Sequence, residues 1–130
     1  MSGDLNDYIL YRLSRADNTF NDAKILAENK SWNSCINRLY YACFYVVSAL
    51  LIKRGHNIKT HNGVRTIFFK EYIATSIIEK DFGKLYSDLF DWRGEGDYAD
   101  FVDYDKETVI PLLPKVQEFI EIIEDLIKTT

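Results

Sequence analysis

Apolar residues recur at helical spacing along most of the chain. Ile9, Leu13, Ala16, Phe20, Ala23 and Ala27 follow one another at intervals of three or four, the spacing that returns side chains to one face of an α-helix. Asn18, Asp22 and Lys24 fall off that stripe. The pattern predicts a helix over 5–29, broken at Lys30-Ser31, where Ser31 can cap the next helix by accepting a backbone N–H. That second helix, over 32–54, is apolar nearly all round, from Trp32 and Cys35 through Leu39 and Tyr40 to Val47 and Leu50. A helix without a polar face needs contact on several sides, so it is expected at the centre of the fold. Lys53-Arg54 suit the negative end of its dipole, and Gly55 can take the left-handed conformation that ends it.

Residues 55–60 read as a loop. Thr60 is placed to cap a short third helix carrying Val64, Ile67, Phe68 and Tyr72. A fourth helix carries Ile78, Phe82, Leu85, Leu89 and Trp92 and meets two glycines in Arg93-Gly-Glu-Gly-Asp-Tyr98, a loop or a helix end. Val109, Leu113, Val116, Ile120, Ile123 and Ile127 form the stripe of the last helix. Its start has two readings: a cap at Asp105, with Pro111 and Pro114 kinking the helix, or a regular start near Pro111, where a missing N–H costs little. Strand-like alternation is absent. The expected fold is all-α, a four-to-five-helix up-and-down bundle forming a single domain over 1–130.

Composition narrows the picture. The chain has 130 residues, 47% of them hydrophobic, with nine tyrosines and eight phenylalanines, enough for a core without disulfide or metal staples. Cys35 and Cys43 fall eight apart on one helix, too far to pair, and read as reduced core residues of a cytoplasmic protein. The opening Met-Ser-Gly-Asp-Leu-Asn-Asp is polar and acidic, unlike a secretory leader. The longest apolar run, Leu39 to Ile52 with only Ser48 interrupting, falls short of the roughly 20 residues that cross a bilayer; no membrane segment is expected.

The net charge of −4 hides an asymmetry. Arg12 to Lys70 carries ten Lys/Arg against three Asp/Glu, whereas the chain from Glu71 onward carries six against 15. This suits solvated helix faces, a charge-complementary bundle or dimer, or a basic binding face on an acidic protein. Phosphate-loop, CxxC, HExxH and Gly-x-Ser-x-Gly signatures are all absent. The acidic cluster from Asp88 to Glu107 matches no calcium loop, so neither metal nor cofactor is expected. Asn37, Arg38, Tyr40 and Tyr41 stand out as polar residues within the apolar helix, and a buried arginine there would need a partner or an exit to solvent. Arg93, Asp97 and Tyr98 gather at the end of the fourth helix, and His61 follows the cap of the third.

Three stretches occur in order: Arg38-Leu-Tyr-Tyr-Ala42, then Lys59-Thr-His-Asn-Gly63, then Arg93-Gly-Glu-Gly-Asp-Tyr98. Together, over roughly residues 10–125, they resemble a subgroup of bacterial HEPN proteins with R-x-Y-Y-A, K-T-H-x-G and R-x-x-x-D-Y patterns. The resemblance implies a helical bundle that pairs face to face as a homodimer. It also implies a toxin–antitoxin or defence setting, in which many members are metal-independent RNases using R-x(4–6)-H, and many are encoded beside a nucleotidyltransferase that in some cases attaches AMP to a tyrosine near that motif. This chain departs from the RNase pattern: Tyr98, Ala99 and Asp100 follow Arg93 where a histidine is expected. Arginine can still hold a phosphate bidentately, but the usual proton carrier is missing at that place.

Three functions therefore compete. The first is a nucleotide- or RNA-binding protein, partnered by a nucleotidyltransferase, with Arg93, Asp97, Tyr98, His61, Arg38 and Tyr41 at a dimer cleft. The second is an RNase in which His61 takes the acid–base role beside Arg93. The third is a non-catalytic interaction bundle whose polar residues set helix register and pairing.

Overall fold

The computed structural model describes the backbone of residues 2–98 and 103–129 and the side chains of 5–93 and 103–129. It is all-helical over the described residues. The helices are α1 (Ser2–Glu28), α2 (Trp32–Lys53), α3 (His61–Phe68), α4 (Lys80–Tyr98), α5 (Lys106–Val109) and α6 (Leu112–Lys128). The stripe of α1 turns inward: Ile9, Ala16, Phe20, Ala23 and Ala27 are buried and Leu13 is partly so. Helix α2 lies at the centre, packed against α1, α4 and α6 and touching α3 and α5. By length and composition α2 could cross a membrane, because it extends beyond the Leu39–Ile52 run on which the shorter estimate rested. Its span is 72% buried against the other helices, however; its apolar surface faces protein.

Helix ends follow local chemistry with one surprise. Gly55 takes φ 90° after α2, with His56 N–H donating to Leu51 C=O (3.0 Å) and Gly55 N–H to Ile52 C=O (3.0 Å), the paired closure of a Schellman motif. Lys30 does the same after α1 at φ 60°, with Ser31 N–H on Leu26 C=O (2.9 Å) and Lys30 N–H on Ala27 C=O (3.0 Å). The lysine accepts a conformation usually left to glycine because the short connection must turn α2 back along α1. Ser31 does not cap α2 through its side chain, contrary to expectation. Thr60 does cap α3: its hydroxyl accepts from Gly63 N–H at 2.9 Å.

Helix α3 runs into a π-helical turn, Phe69–Ile73, that periodicity did not predict. The wider turn lets the adjacent Tyr72 and Ile73 both be buried, together with Phe68. The Arg93–Tyr98 stretch proves to be a helix end, the last turns of α4. Both readings of the last helix are partly realised. Asp105 caps the one-turn α5, accepting from Thr108 N–H at 2.9 Å, and Pro111 then opens α6 as a separate helix. Pro114 falls in the first turn of α6, where no N–H is needed. Tyr104 ties this region down: its N–H donates to Asn33 Oδ1 (2.9 Å) and its hydroxyl to Trp92 C=O (3.1 Å).

Truncation should report this layering. Leu39→Ala, at a 0% exposed position of α2, should cost about 2–5 kcal/mol in denaturant unfolding. Ile77→Ala, at a 56% exposed position, should stay within about 0.5 kcal/mol. Equal losses at the two positions would contradict the central placement of α2.

Candidate functional site

Tyr40 is the buried base of a polar cluster on the face of α2 toward α3 and α4. Its ring is 0% exposed, and its hydroxyl lies 2.6 Å from His61 Nδ1. The Thr60 cap sets His61 as the first residue of α3, and the imidazole stacks on Phe44, one turn beyond Tyr40, at 4.2 Å between centroids and 18° between planes. Arg93 approaches from α4. Its guanidinium carbon sits 4.7 Å from the Tyr40 ring centroid and 5.4 Å from that of Phe90, within cation–π range. Its Nη1 donates a long hydrogen bond to the Tyr41 hydroxyl, 3.4 Å. The Arg93 Nε is buried without an acceptor. Arg65 also lies over Phe90, at 4.1 Å from its centroid, and 3.7 Å from Asp91. Among the described residues Arg93 has no carboxylate within ion-pair distance.

These contacts govern the protons. Burial pushes the Tyr40 hydroxyl up to about 12, against the opposing pull of Arg93; it keeps its proton at neutral pH. Partial burial, reinforced by the charge of Arg93, lowers His61 below its ordinary value. Both effects disfavour a second cation beside the guanidinium. The imidazole is thus neutral at pH 7, and one hydrogen is shared between Tyr40 and Nδ1. When Tyr40 donates it, Nε2 carries the imidazole hydrogen and is a donor; when Nδ1 donates, Nε2 is an acceptor. Behind Tyr40 lies Tyr86, 0% exposed, whose ionisation burial drives up steeply, with the Tyr40 hydroxyl as its polar neighbour.

The structure brings together Arg93, His61 and Tyr41 out of the residues singled out in the sequence. Arg38 is exposed and lines a different groove, between α1 and α2, with Asp22, Ile25, Leu26, Asn33, Ser34 and Asn37. The side chains of Asp97 and Tyr98 lie outside the described residues. Tyr40 stood out in the sequence as a polar residue of the apolar helix but was not placed at the site, and Phe44, Phe90 and Arg65 were not singled out. The spacing of Tyr40 and Phe44 by four, and of Phe90 and Arg93 by three, puts each pair on one helix face and is the signal that could have found them. Cys35 and Cys43 are free and buried, and burial raises both thiols, the setting of unreactive core cysteine.

Comparison with known proteins matches this architecture. The model of the HEPN domain family matches residues 9–126. A UPF0332 protein of Thermotoga maritima is 39% identical over 92% of this chain and 91% of its own length. Two proteins of Methanocaldococcus jannaschii, named "Putative toxin MJ0142" and "Putative toxin MJ0605", are 28% and 30% identical over 83% and 76% of this chain, in each case 74% of their own length. With a helical bundle built around α2, and with family patterns that span nearly all of it, this chain belongs to the HEPN family.

Proposed function

We propose that this protein is the HEPN component of a toxin–antitoxin module and that it binds the phosphate of RNA or a nucleotide at Arg93, with His61 and Tyr41 beside it. One observation carries the reading: a half-buried guanidinium rests on aromatic rings with no carboxylate partner among the described residues. A structural arginine in such a place would ordinarily be neutralised. Among the described residues the charge is left for a ligand, and a phosphate is the anion that arginine's planar fork fits best. The relatives named as toxins support the setting. A homodimer with the cluster at its cleft, and a nucleotidyltransferase as partner, belong to the same reading.

A second reading, metal-independent RNA cleavage, is favoured by His61. The histidine missing after Arg93 in sequence has a counterpart in space, held by Tyr40 and neutral beside the arginine. A neutral imidazole can take a proton from the attacking 2′-hydroxyl, while Arg93 stabilises the charge that develops on phosphorus-bound oxygen. Tyr40 holds the ring in place and shares the other nitrogen's hydrogen.

Arg93→Ala should weaken binding of a labelled RNA oligonucleotide by about tenfold to a hundredfold, the worth of charged hydrogen bonds, with the dimer mass by light scattering unchanged. Unaltered affinity would refute the site. His61→Ala should abolish any cleavage while binding persists; cleavage surviving it would remove the second reading. The His61 ring protons, followed by NMR, should titrate below the ordinary imidazole value of about 6.5, and Arg93→Ala should move the midpoint upward by removing a positive neighbour. Because the unfolded chain binds this proton more readily, the neutral imidazole contributes stability above about pH 6.5 that is lost as pH falls toward the folded-state value.

A further inference from the structure

A second cluster of arginine and tyrosine lies on the α1–α2 seam, outside the family patterns. Arg15 Nη2 donates to the Tyr45 hydroxyl at 3.2 Å, and its guanidinium carbon is 5.2 Å from that ring's centroid. Arg12 shares the same ring at 5.6 Å and donates to the Tyr8 hydroxyl at 2.8 Å. Tyr45 in turn neighbours Tyr41, centroids 6.1 Å apart, and Arg93 lies 6.0 Å from the Tyr41 ring. The result is a continuous order of arginine, tyrosine, tyrosine, arginine across the α2 surface.

Among the described residues the charges in this order have no ion-pair partner. Acids outnumber bases 20 to 16 in the chain, yet among the described residues Arg12, Arg15 and Arg93 have no carboxylate within ion-pair distance. Asp22 is the acid felt by Arg15, and it acts more weakly than Tyr45 does. Arg15, Tyr8 and Tyr11 are exposed, and Tyr45 is half-exposed. Cationic side chains alternating with aromatic rings on an open surface are what a flexible polyanion with planar bases requires: guanidinium groups meet phosphates, and tyrosine and guanidinium planes stack on bases.

We propose that Arg12, Arg15 and Tyr45 form a second phosphate-and-base subsite, continuous with Arg93 through Tyr41, and that the ligand is therefore a single-stranded RNA of several nucleotides. The inference rests on the Arg93 reading given above and adds length to it. A lone nucleotide would occupy the Arg93 end; only a longer strand reaches α1.

The test is fluorescence anisotropy with 5′-labelled oligouridylates of two and eight nucleotides, on the full chain. Wild type should bind the octamer at least about tenfold more tightly than the dimer. Arg12→Ala/Arg15→Ala should erase most of that gain and leave dimer affinity unchanged, whereas Arg93→Ala weakens both. The slope of log affinity against log salt for the octamer should shrink by about 0.7 for each phosphate contact removed. Tyr45→Phe, which keeps the ring and loses the acceptor for Arg15, should give a smaller loss. Should the double variant lose its helical circular dichroism, Arg15→Ala alone carries the test, since that side chain is exposed. Octamer binding that is indifferent to Arg12 and Arg15, or equal for a duplex of the same length, overturns the second subsite while leaving Arg93 intact. An absence of binding to either oligonucleotide by wild type overturns the Arg93 reading and this one with it.

Discussion

Enclosure of most of α2, 72% of whose span is buried against the other helices, is the constraint from which the rest of the molecule follows. The buried part of such a helix cannot leave a polar group to water, so each one it carries there must find a partner or cost stability. Along α2 this burden falls on Ser48, whose buried hydroxyl has no partner among the described residues, and on Tyr40, whose ring is inaccessible and whose hydroxyl is answered by His61. That hydrogen bond ties the central helix to the start of α3, and the Thr60 cap and the Gly55 turn aim α3 at the place where the imidazole is needed. Core packing and site geometry are thus one arrangement.

Aromatic rings do for Arg93 what carboxylates do for most half-buried arginines. Tyr40 and Phe90 offer the negative faces of their π systems and hold the guanidinium without cancelling its charge. Under the proposed reading, a carboxylate in the same place would compete with the phosphate. The charge of Arg93 also acts inward, helping keep His61 neutral. One cation, one neutral imidazole and a protonated phenol hydrogen-bonded to it meet at this place, and the proposed phosphate site rests on their meeting.

The asymmetry of charge acquires a location in the fold. Arg12 and Arg15 on α1 and Arg65 on α3 gather around the aromatic surface of α2 and the end of α4, whereas Lys84 of the acidic back half is spent on Asp88 at 2.7 Å. Arg38 lies elsewhere, in the groove with Asp22. The basic front half is therefore neither scattered evenly nor wholly gathered; its arginines near tyrosine and phenylalanine are the ones that converge.

Periodicity alone determined the helices, because burying a stripe every three or four residues leaves little choice of conformation. It also made α2 central, since an all-round apolar helix must be enclosed. Glycine at 55 and threonine at 60 announced the turns they make, through a backbone freedom and a side-chain acceptor that act locally. Tertiary structure alone decided the left-handed Lys30, the π turn at Phe69–Ile73 and the division at Pro111, where packing chose among conformations of similar local cost. The site divides the same way. Arg93, His61 and Tyr41 could be named from ordered motifs, but not their meeting, since no spacing relates residues on three different helices. Adjacent tyrosines on a helix point about 100° apart, so the sequence could not say that Tyr40 would be buried to hold His61 while Tyr41 stayed half-open to meet Arg93. That choice belonged to α3 and α4, which close over one of the two rings and leave the other at the surface.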